Sequence, residues 1–533
     1  MEWFTTVSAL VRARADDPRP GLLFEGRSWT WAEHTAEAAA RAAWYDASRR
    51  GRRADGPPHI GVLLENVPEY SFWMAAAALG RFVLVGLNAT RRGEQLHDDV
   101  RATDCDLVLT DRPELFEGLG VPVLDPHQIP YVPAPLPDDE ARTDDLYLLI
   151  FTSGTTGSPK AVMCSQGKIA TQGLGLVQRV GLGPDDVSYV SMPLFHSNAV
   201  IAGWSPSLAV GATVALRRRF SASSFVDDCR AVGATYANYV GTPLSYVLAQ
   251  PERPDDADNP LVRVFGNEGA PADLARFAQR FGCEVIDGFG STEGGISISR
   301  TPDTPAGALG RGVGDVRVLD PDSGLERAVA VFDDQGRLAN ADEAVGELVN
   351  MDGPFAFEGY WNAPDDTAHR NRGGRYWSGD LGYRDAEGFL YFAGRSLDRL
   401  RVGGENFPAA PVARLLAGHP GVVEAVVFAV PDPVAGDQVM AAVVPAEGFG
   451  PAGFAAWVAT QPDASSTWVP RYLRVSGDLP RTATGKVVVR HLARDRWEGA
   501  DVWVRDGDVM RPMTDEDRVA LEKAFADSGR PLL

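Results

Sequence analysis

Up to about residue 300 the chain alternates short apolar runs with longer stretches of helical spacing. The runs are "HIGVLLE", "RFVLVGL", "CDLVLT", "LYLLIF", "DVSYVSM", "ATVALRR", "ATYANYV" and "CEVIDGF". Segments between them, such as "EQLHDDVRAT" and "ADLARFAQRF", repeat their apolar residues with helical spacing. Strand and helix in alternation is the signature of sheets of parallel strands with helices packed on them, the α/β class. From 305 to 360 the texture changes: "DPDSG" and "DDQG" mark tight turns between short runs such as "VRVLD" and "GELVN", which predicts a small β region. After "FLYFAGRSLDRLRVGGENF" (389–407) alternation resumes on a smaller scale, with helices expected near 409–417 and 452–460 around "VVEAVVFAV" and "QVMAAVVP". A boundary at about 395 leaves a smaller α+β C-terminal domain of ordinary size.

At 533 residues the chain exceeds what one core supports, so two or more domains are required in any case. Its 72 acidic against 51 basic residues give a net charge of −21, which argues against nucleic acid and anionic membranes as partners. An anionic substrate must then be held by local donors against the overall field. Cys105, Cys164, Cys229 and Cys283 are widely separated, without a CxxC pair or disulfide density, and read as buried reduced thiols of a cytoplasmic protein. The N-terminus "MEWFTTVSALVRARADDPRP" has no apolar core of a signal peptide. The most apolar run, "SFWMAAAALGRFVLVGL" (71–87), is broken by Gly80 and Arg81 and reads as helix, turn and strand, with no integral membrane association.

"LYLLIF" runs straight into "TSGTTGSPK", a loop at the carboxyl end of a strand, where α/β proteins bind ligands. Gly154 and Gly157 let the backbone turn its N–H groups toward an anion. Thr152, Ser153, Thr155 and Thr156 add hydroxyls, and Lys160 adds a positive charge. The loop is not a Walker A motif, because Ser158 and Pro159 separate Gly157 from Lys160. A flexible Gly/Ser connector would share the composition, but so dense a donor cluster directly after a strand favours phosphate.

With "GFGSTEG" (288–294), "WSGDL" (377–381), "AGR" (393–395) and "PRTATGK" (480–486) following in order, the chain resembles the adenylate-forming enzymes over nearly its whole length. That superfamily comprises acyl-CoA synthetases, peptide-synthetase adenylation domains and luciferases. "LRRRFSASSFVDDC", "VFGNEGAPADLARFAQRFG" and "RVGGENF" are similar to the very-long-chain acyl-CoA synthetases and fatty-acid transport proteins, and to actinobacterial CoA ligases for steroid side chains.

The resemblance implies a reaction in two steps. A carboxylate attacks the α-phosphorus of MgATP to give an acyl-adenylate and pyrophosphate, and the CoA thiol then displaces AMP. The expected substrates are therefore a large apolar carboxylic acid (long-chain, steroid or terpenoid), ATP with Mg2+, and CoA. A carrier protein as acceptor, an enzyme of one half-reaction, and a non-catalytic acyl-nucleotide sensor are the alternatives, and homodimerisation is open.

By resemblance, residues 152–157 and Lys160 grip the β- and γ-phosphates. Glu293 is the magnesium-associated carboxylate and Thr292 a phosphate contact, although Ser/Thr capping a helix before a first-turn glutamate gives the same letters. Gly266, Asn267 and Glu268 border the adenine and the acyl group. Asp287, Gly288, Phe289, Gly290 and Ser291 carry the nucleotide loop, with the Phe289 ring against adenine. Asp380 accepts the ribose hydroxyls, with Arg395 nearby. His196 and Ser197 approach the substrate carboxylate. The acyl pocket is expected around them, "GWSPS" (203–207), and Asn238, Tyr239 and Gly241, with Gly290 at its edge. Lys486 bridges the carboxylate and the α-phosphate in the first step.

The same resemblance implies domains at 1–394 and 400–533 joined by a hinge at 395–399. Rotation about that hinge brings Gly403, Gly404 and Glu405 to the pantetheine tunnel. Leu397 stands where the family often carries Asp, Lys or Gly, and Gly403 replaces a more usual polar residue.

Overall fold

In the computed structural model the apolar runs of the first 300 residues become strands of two large sheets. The structure describes residues 5–48, 56–152, 159–240, 243–267, 269, 271–321, 323–333, 338–395, 399–403, 405–434, 436–461, 464–480, 487, 489–499 and 501–530.

Among the described residues one sheet has six strands, in the order Val123–Leu124, Leu107–Thr110, His59–Leu63, Val83–Gly86, Leu146–Thr152 and Lys160–Ser165. All neighbours are parallel except the last pair. The second sheet has nine strands. Its parallel centre runs Glu284–Gly290, Arg263–Asn267, Tyr236–Val240, Val187–Val190, Thr213–Leu216 and Pro20–Phe24, with antiparallel edges on both sides. The strands at Pro20–Phe24, Arg27–Thr30, Lys160–Ser165 and Arg263–Asn267 are additions to those expected from the sequence. Each is short or carries charged or polar residues, which blurs the apolar signature.

Between the sheets lies a helical layer. The Pro68–Gly80 helix is buried from Glu69 to Leu79, so it is apolar on every side, as a helix enclosed by two sheets must be. Pro68 opens it, and Arg81 ends it in the left-handed region at φ 54°. The helix, turn and strand expected over 71–87 are all present. Leu22, Ile60, Leu84, Leu148, Val190 and Val214, from both sheets, share one core with this helix.

The glycine-rich region forms a four-stranded antiparallel sheet, Val316–Leu319, Gly346–Asn350, Tyr376–Arg384 and Leu390–Arg395. Beyond it, the Arg399–Val402 and Glu405–Pro408 strands pair as a hairpin. A mixed five-stranded sheet follows, from Val422–Pro431 to Val509–Pro512, with its own two clusters of buried side chains.

All four cysteines are buried and unpaired. Burial pushes Cys105 up to about 12 and Cys283 up to about 11, so neither is poised as a nucleophile. Among the described residues no helix is long and apolar enough to cross a membrane.

Candidate active site

A cavity of about 990 Å³ opens where the strand ends of the two large sheets meet the Arg399–Pro408 hairpin. One of its walls is the Gln166–Val180 helix. Ser165 caps that helix by accepting from the Lys168 amide, and Gly181 ends it at φ 64°. Lys168, Thr171, Gln172, Gly175, Leu176 and Arg179 all line the cavity. They fall at helical spacing on a single face.

The polar end is organised around Glu293, a buried carboxylate. The Thr152 hydroxyl donates to Glu293 Oε1 at 3.3 Å and the Tyr360 hydroxyl donates to the same oxygen at 2.9 Å. Lys168 Nζ donates to the Glu293 carbonyl at 3.1 Å, tying the helix to this end. Beside it the hydroxyls of Thr292 and Ser197 share a hydrogen bond of 2.7 Å, which joins two loops of the nine-stranded sheet. Among the described residues no cluster of three or more His, Cys, Asp or Glu side chains could hold a metal ion alone. Magnesium is commonly bound by one or two carboxylates and completed by phosphate and water, so a single fixed carboxylate suits an ion that arrives with its nucleotide.

His196 is half-buried in the wall, its ring 4.5 Å from that of Phe195. Burial, and secondarily the charge of Arg401, lower its pKa to about 4, so it is neutral at neutral pH. It can donate or accept a hydrogen bond there without carrying charge.

Phe289, Gly290, Ser291, Asn267 and Asp380 also line the cavity. Asn267 Nδ2 donates to the Gly288 carbonyl at 2.8 Å, fixing the two neighbouring strand ends to each other. Asp380 is buried in the Tyr376–Arg384 strand, opposite Arg395 in register. Preceding it, Gly379 has φ 75°, and a β-carbon there would strike the buried Arg370 guanidinium. Glycine is therefore required to bring the Asp380 strand so close. Arg370 itself donates to the Trp377 carbonyl, and the Glu293 charge is among those that favour its cationic form.

Several of the expected contacts turn away from the cavity. Tyr239 is buried on the opposite side of its strand, where its hydroxyl donates to Asp287 Oδ2 at 2.6 Å. The same Asp287 oxygen accepts from the Gly269 amide at 3.1 Å, so Asp287 braces the strand ends and does not line the cavity. Asn238 donates to Asn198 Oδ1 from beneath the wall, and its neighbour Val240 takes the surface position. The "GWSPS" segment is likewise turned inward: Trp204 Nε1 donates to Ser71 and Ser205 Oγ to the Ile169 carbonyl. A π-helical turn at Ala199–Trp204 instead presents Ile201 and Ala202 to the cavity. Gly266 and Gly288 are strand residues behind the surface, Gly266 packed on Tyr239.

From the C-terminal part, Arg401, Gly403, Glu405, Phe407, Ser465 and Trp468 reach the cavity. Gly403 turns the hairpin at φ 60°. Glu405 accepts from Thr467 at 3.2 Å and from Thr90, on the other side of the opening, at 3.4 Å. Burial raises its pKa. Ser153, Gly154, Thr155, Thr156, Gly157, Gly241, Glu268, Gly404 and Lys486 lie outside the described residues, as do Leu397 and the side chain of Arg395.

Lys168, Tyr360, Asp366, Arg370, Arg401 and Arg179 belong to the site but were not singled out from the sequence. Tyr360, which donates to Glu293, and Asp366, which is ion-paired with Lys160, stand far along the chain from the residues they hold. Lys168, just past "TSGTTGSPK" at a helix start, gave the only local signal.

The chain matches the AMP-binding enzyme family over residues 11–361 and the AMP-binding enzyme C-terminal domain over 412–486. It is 46% identical to a steroid-22-oyl-CoA synthetase of Rhodococcus jostii, covering 99% of this chain and 98% of the relative. It is 50% identical to the medium/long-chain-fatty-acid–CoA ligase FadD17 of Mycobacterium tuberculosis over 93% of this chain and 98% of that one. In structure it is similar to o-succinylbenzoate CoA synthetase of Bacillus subtilis bound with a product analogue, with a TM-score of 0.77, 25% identity, and coverage of 91% of this chain and 98% of that one.

Proposed function

Because this chain belongs to the AMP-binding enzyme family, we propose that it runs its two half-reactions in one cavity, served in turn by two segments of the C-terminal domain. It is an AMP-forming acyl-CoA ligase for hydrophobic carboxylic acids. The observation that carries the reading is the union of an apolar trough, a fixed carboxylate and the Arg399–Pro408 hairpin in a single 990 Å³ space.

In the first step a carboxylate oxygen of the acid attacks the α-phosphorus of ATP, and the bond to the β-phosphate breaks. Two anions must approach each other in a chain of net charge −21, so cations and donors have to be supplied locally. Lys160, Thr152 and the loop between them are assigned to the departing pyrophosphate, and Lys486 to the meeting point of carboxylate and α-phosphate. Glu293, oriented by Thr152 and Tyr360, would hold a magnesium ion arriving with the nucleotide, which would supply positive charge to the phosphates. Asp380 takes the ribose hydroxyls and Phe289 the base. Neutral His196 orients the carboxylate without adding charge.

In the second step the CoA sulfur attacks the acyl carbon, the acyl–phosphate oxygen bond breaks, and AMP leaves. A thiol with a reference pKa of about 8.5 is partly ionised near neutral pH and needs alignment more than a strong base. Gly403 and Glu405 are assigned to the pantetheine path, which the hairpin's position against Thr90 supports. The swing between the two arrangements is assigned to residues 395–399, with the flanking parts 1–394 and 400–533 moving as bodies. The enzyme is expected in the cytoplasm, with ATP, CoA and a bulky straight-chain, steroid or terpenoid acid as substrates; a homodimer is to be checked by sedimentation.

The test is pyrophosphate release across a panel of such acids, with and without CoA, together with detection of the thioester. Release dependent on the acid, and thioester dependent on CoA, is expected. Binding of ATP without turnover of any acid would overturn the ligase reading.

A further inference from the structure

The cations along the cavity wall are not equivalent. Lys168 is engaged by the carbonyls of Glu293 and Met163, and Arg91 by both carboxylate oxygens of Asp99. Arg179, near the far end of the Gln166–Val180 helix, lines the cavity and is exposed, yet makes no hydrogen bond or ion pair among the described residues. Its guanidinium lies 5.2 Å from the Phe265 ring centroid, and a β-carbon on Gly288 would stand 3.2 Å from its Nη2. Asp287 is the acidic group whose charge reaches it, and that carboxylate already accepts from Tyr239 and Gly269. Partial burial lowers the arginine's pKa without removing its charge.

Position gives this cation its meaning. Lys168 marks the reacting end by its bond to Glu293, and the helix from 168 to 179 rises about 16 Å. Between those positions the helix presents Thr171, Gln172, Gly175 and Leu176, and Ile201, Phe220, Val240 and Phe265 add apolar lining to the same cavity. An acid lying along this trough, its carboxylate near Thr292 and His196, would bring its opposite end toward Arg179.

We propose that Arg179 is a specificity-determining residue that donates to an oxygen acceptor on the end of the substrate remote from the reacting carboxylate, so that the preferred acids are hydrophobic in the middle and oxygenated at both ends. The proposal rests on the acyl-CoA ligase reading and narrows its substrate class. A plain hydrocarbon terminus would leave the guanidinium facing apolar surface and partly stripped of water, which is unfavourable for a charged donor. A ketone, a hydroxyl and a second carboxylate all offer the required oxygen.

The test uses the full chain and matched acids that differ only in the remote oxygen. One set is a rigid polycyclic acid with and without a ring ketone; the other is a long-chain monoacid, its terminal alcohol and its diacid. The readout is the ratio of kcat/KM for each oxygenated acid to its plain partner, measured on one enzyme preparation. That ratio does not depend on how much protein is folded. Wild type is expected to favour the oxygenated acid by about tenfold to a hundredfold, the range of a charge-assisted hydrogen bond. In Arg179→Met the ratio should fall to near one, chiefly through KM, and Arg179→Lys should restore part of it.

Preference for the diacid alone would identify a second carboxylate; preference shared by ketone and alcohol would identify a neutral acceptor. A wild-type ratio near one, or a ratio that survives in Arg179→Met, would overturn the proposal while leaving the ligase reading intact. Failure to activate either member of every pair would instead count against the ligase reading itself.

Discussion

Lys160, the lysine that closes "TSGTTGSPK", is ion-paired with Asp366, and its ammonium lies 5.4 Å from the Tyr360 ring centroid. Both partners come from the segment after the third sheet begins, where Tyr360 also holds Glu293. The cation assigned to phosphate is thus kept buried and paired before any phosphate arrives. Nucleotide has to compete with Asp366 for it.

Asp366→Asn should therefore lower the stability of the ligand-free enzyme by about 2 kcal/mol, because it leaves a buried ammonium with less compensation. ATP should recover that loss by supplying the missing negative charge. The stabilisation conferred by ATP is then expected to be larger in the variant than in wild type. Thermal melts with and without ATP measure it, and an equal or smaller ATP shift would count against the competition.

Tyr360→Phe keeps the ring beneath Lys160 but removes the hydroxyl donated to Glu293. Partners that orient a metal-binding group typically matter by tenfold to a hundredfold. We expect acid-dependent pyrophosphate release to fall by about tenfold, with a higher magnesium requirement. Glu293→Gln should fall further, by about a hundredfold or more. A Tyr360→Phe enzyme with an unchanged magnesium curve would refute the positioning role.

His34 and His196 both have depressed pKa values, about 3 and about 4, from burial first and from a neighbouring arginine second. The unfolded chain takes up these protons near pH 6.5 while the folded one does not. Stability is then complete above about pH 6.5 and is lost as pH falls toward about 3 for His34 and about 4 for His196, by up to about 1.4 kcal/mol per pH unit for each group. His34→Gln keeps a donor and acceptor near Ser71 and should flatten this acid limb. Urea midpoints at pH 7 and pH 5 test it; an identical pH 7-to-5 drop in the variant would exclude His34 as a source.

The two segments of the C-terminal domain should separate the half-reactions. Lys486→Ala is expected to abolish adenylation while sparing much of CoA transfer from supplied acyl-adenylate. Gly403→Val forces a side chain into the left-handed region at φ 60°, and should instead depress CoA transfer and spare pyrophosphate release. Equal loss of both half-reactions in either variant would remove the division of labour.

What the sequence determined by itself was local. Short apolar runs, helical spacing and glycine-bearing turns are written in neighbouring residues, so the α/β class, the break at Gly80–Arg81 and the loop after Thr152 were legible in the sequence, while the loop of Thr292 and Glu293 was legible by family resemblance. Tertiary structure decided which face of each element meets the cavity. In "NYVG" alternation separates Tyr239 from Asn238 and Val240, but only the packed sheet puts Tyr239 on Asp287 and Val240 on the cavity. In the same way, Arg179 reads as one more polar helix residue until the helix is set against Glu293 at one end and Phe265 at the other. Strand and turn preferences act between adjacent residues, whereas a site is made by groups that meet only after the chain has closed on itself. Lys160 finding Asp366, and Thr90 finding Glu405, are encounters of that second kind.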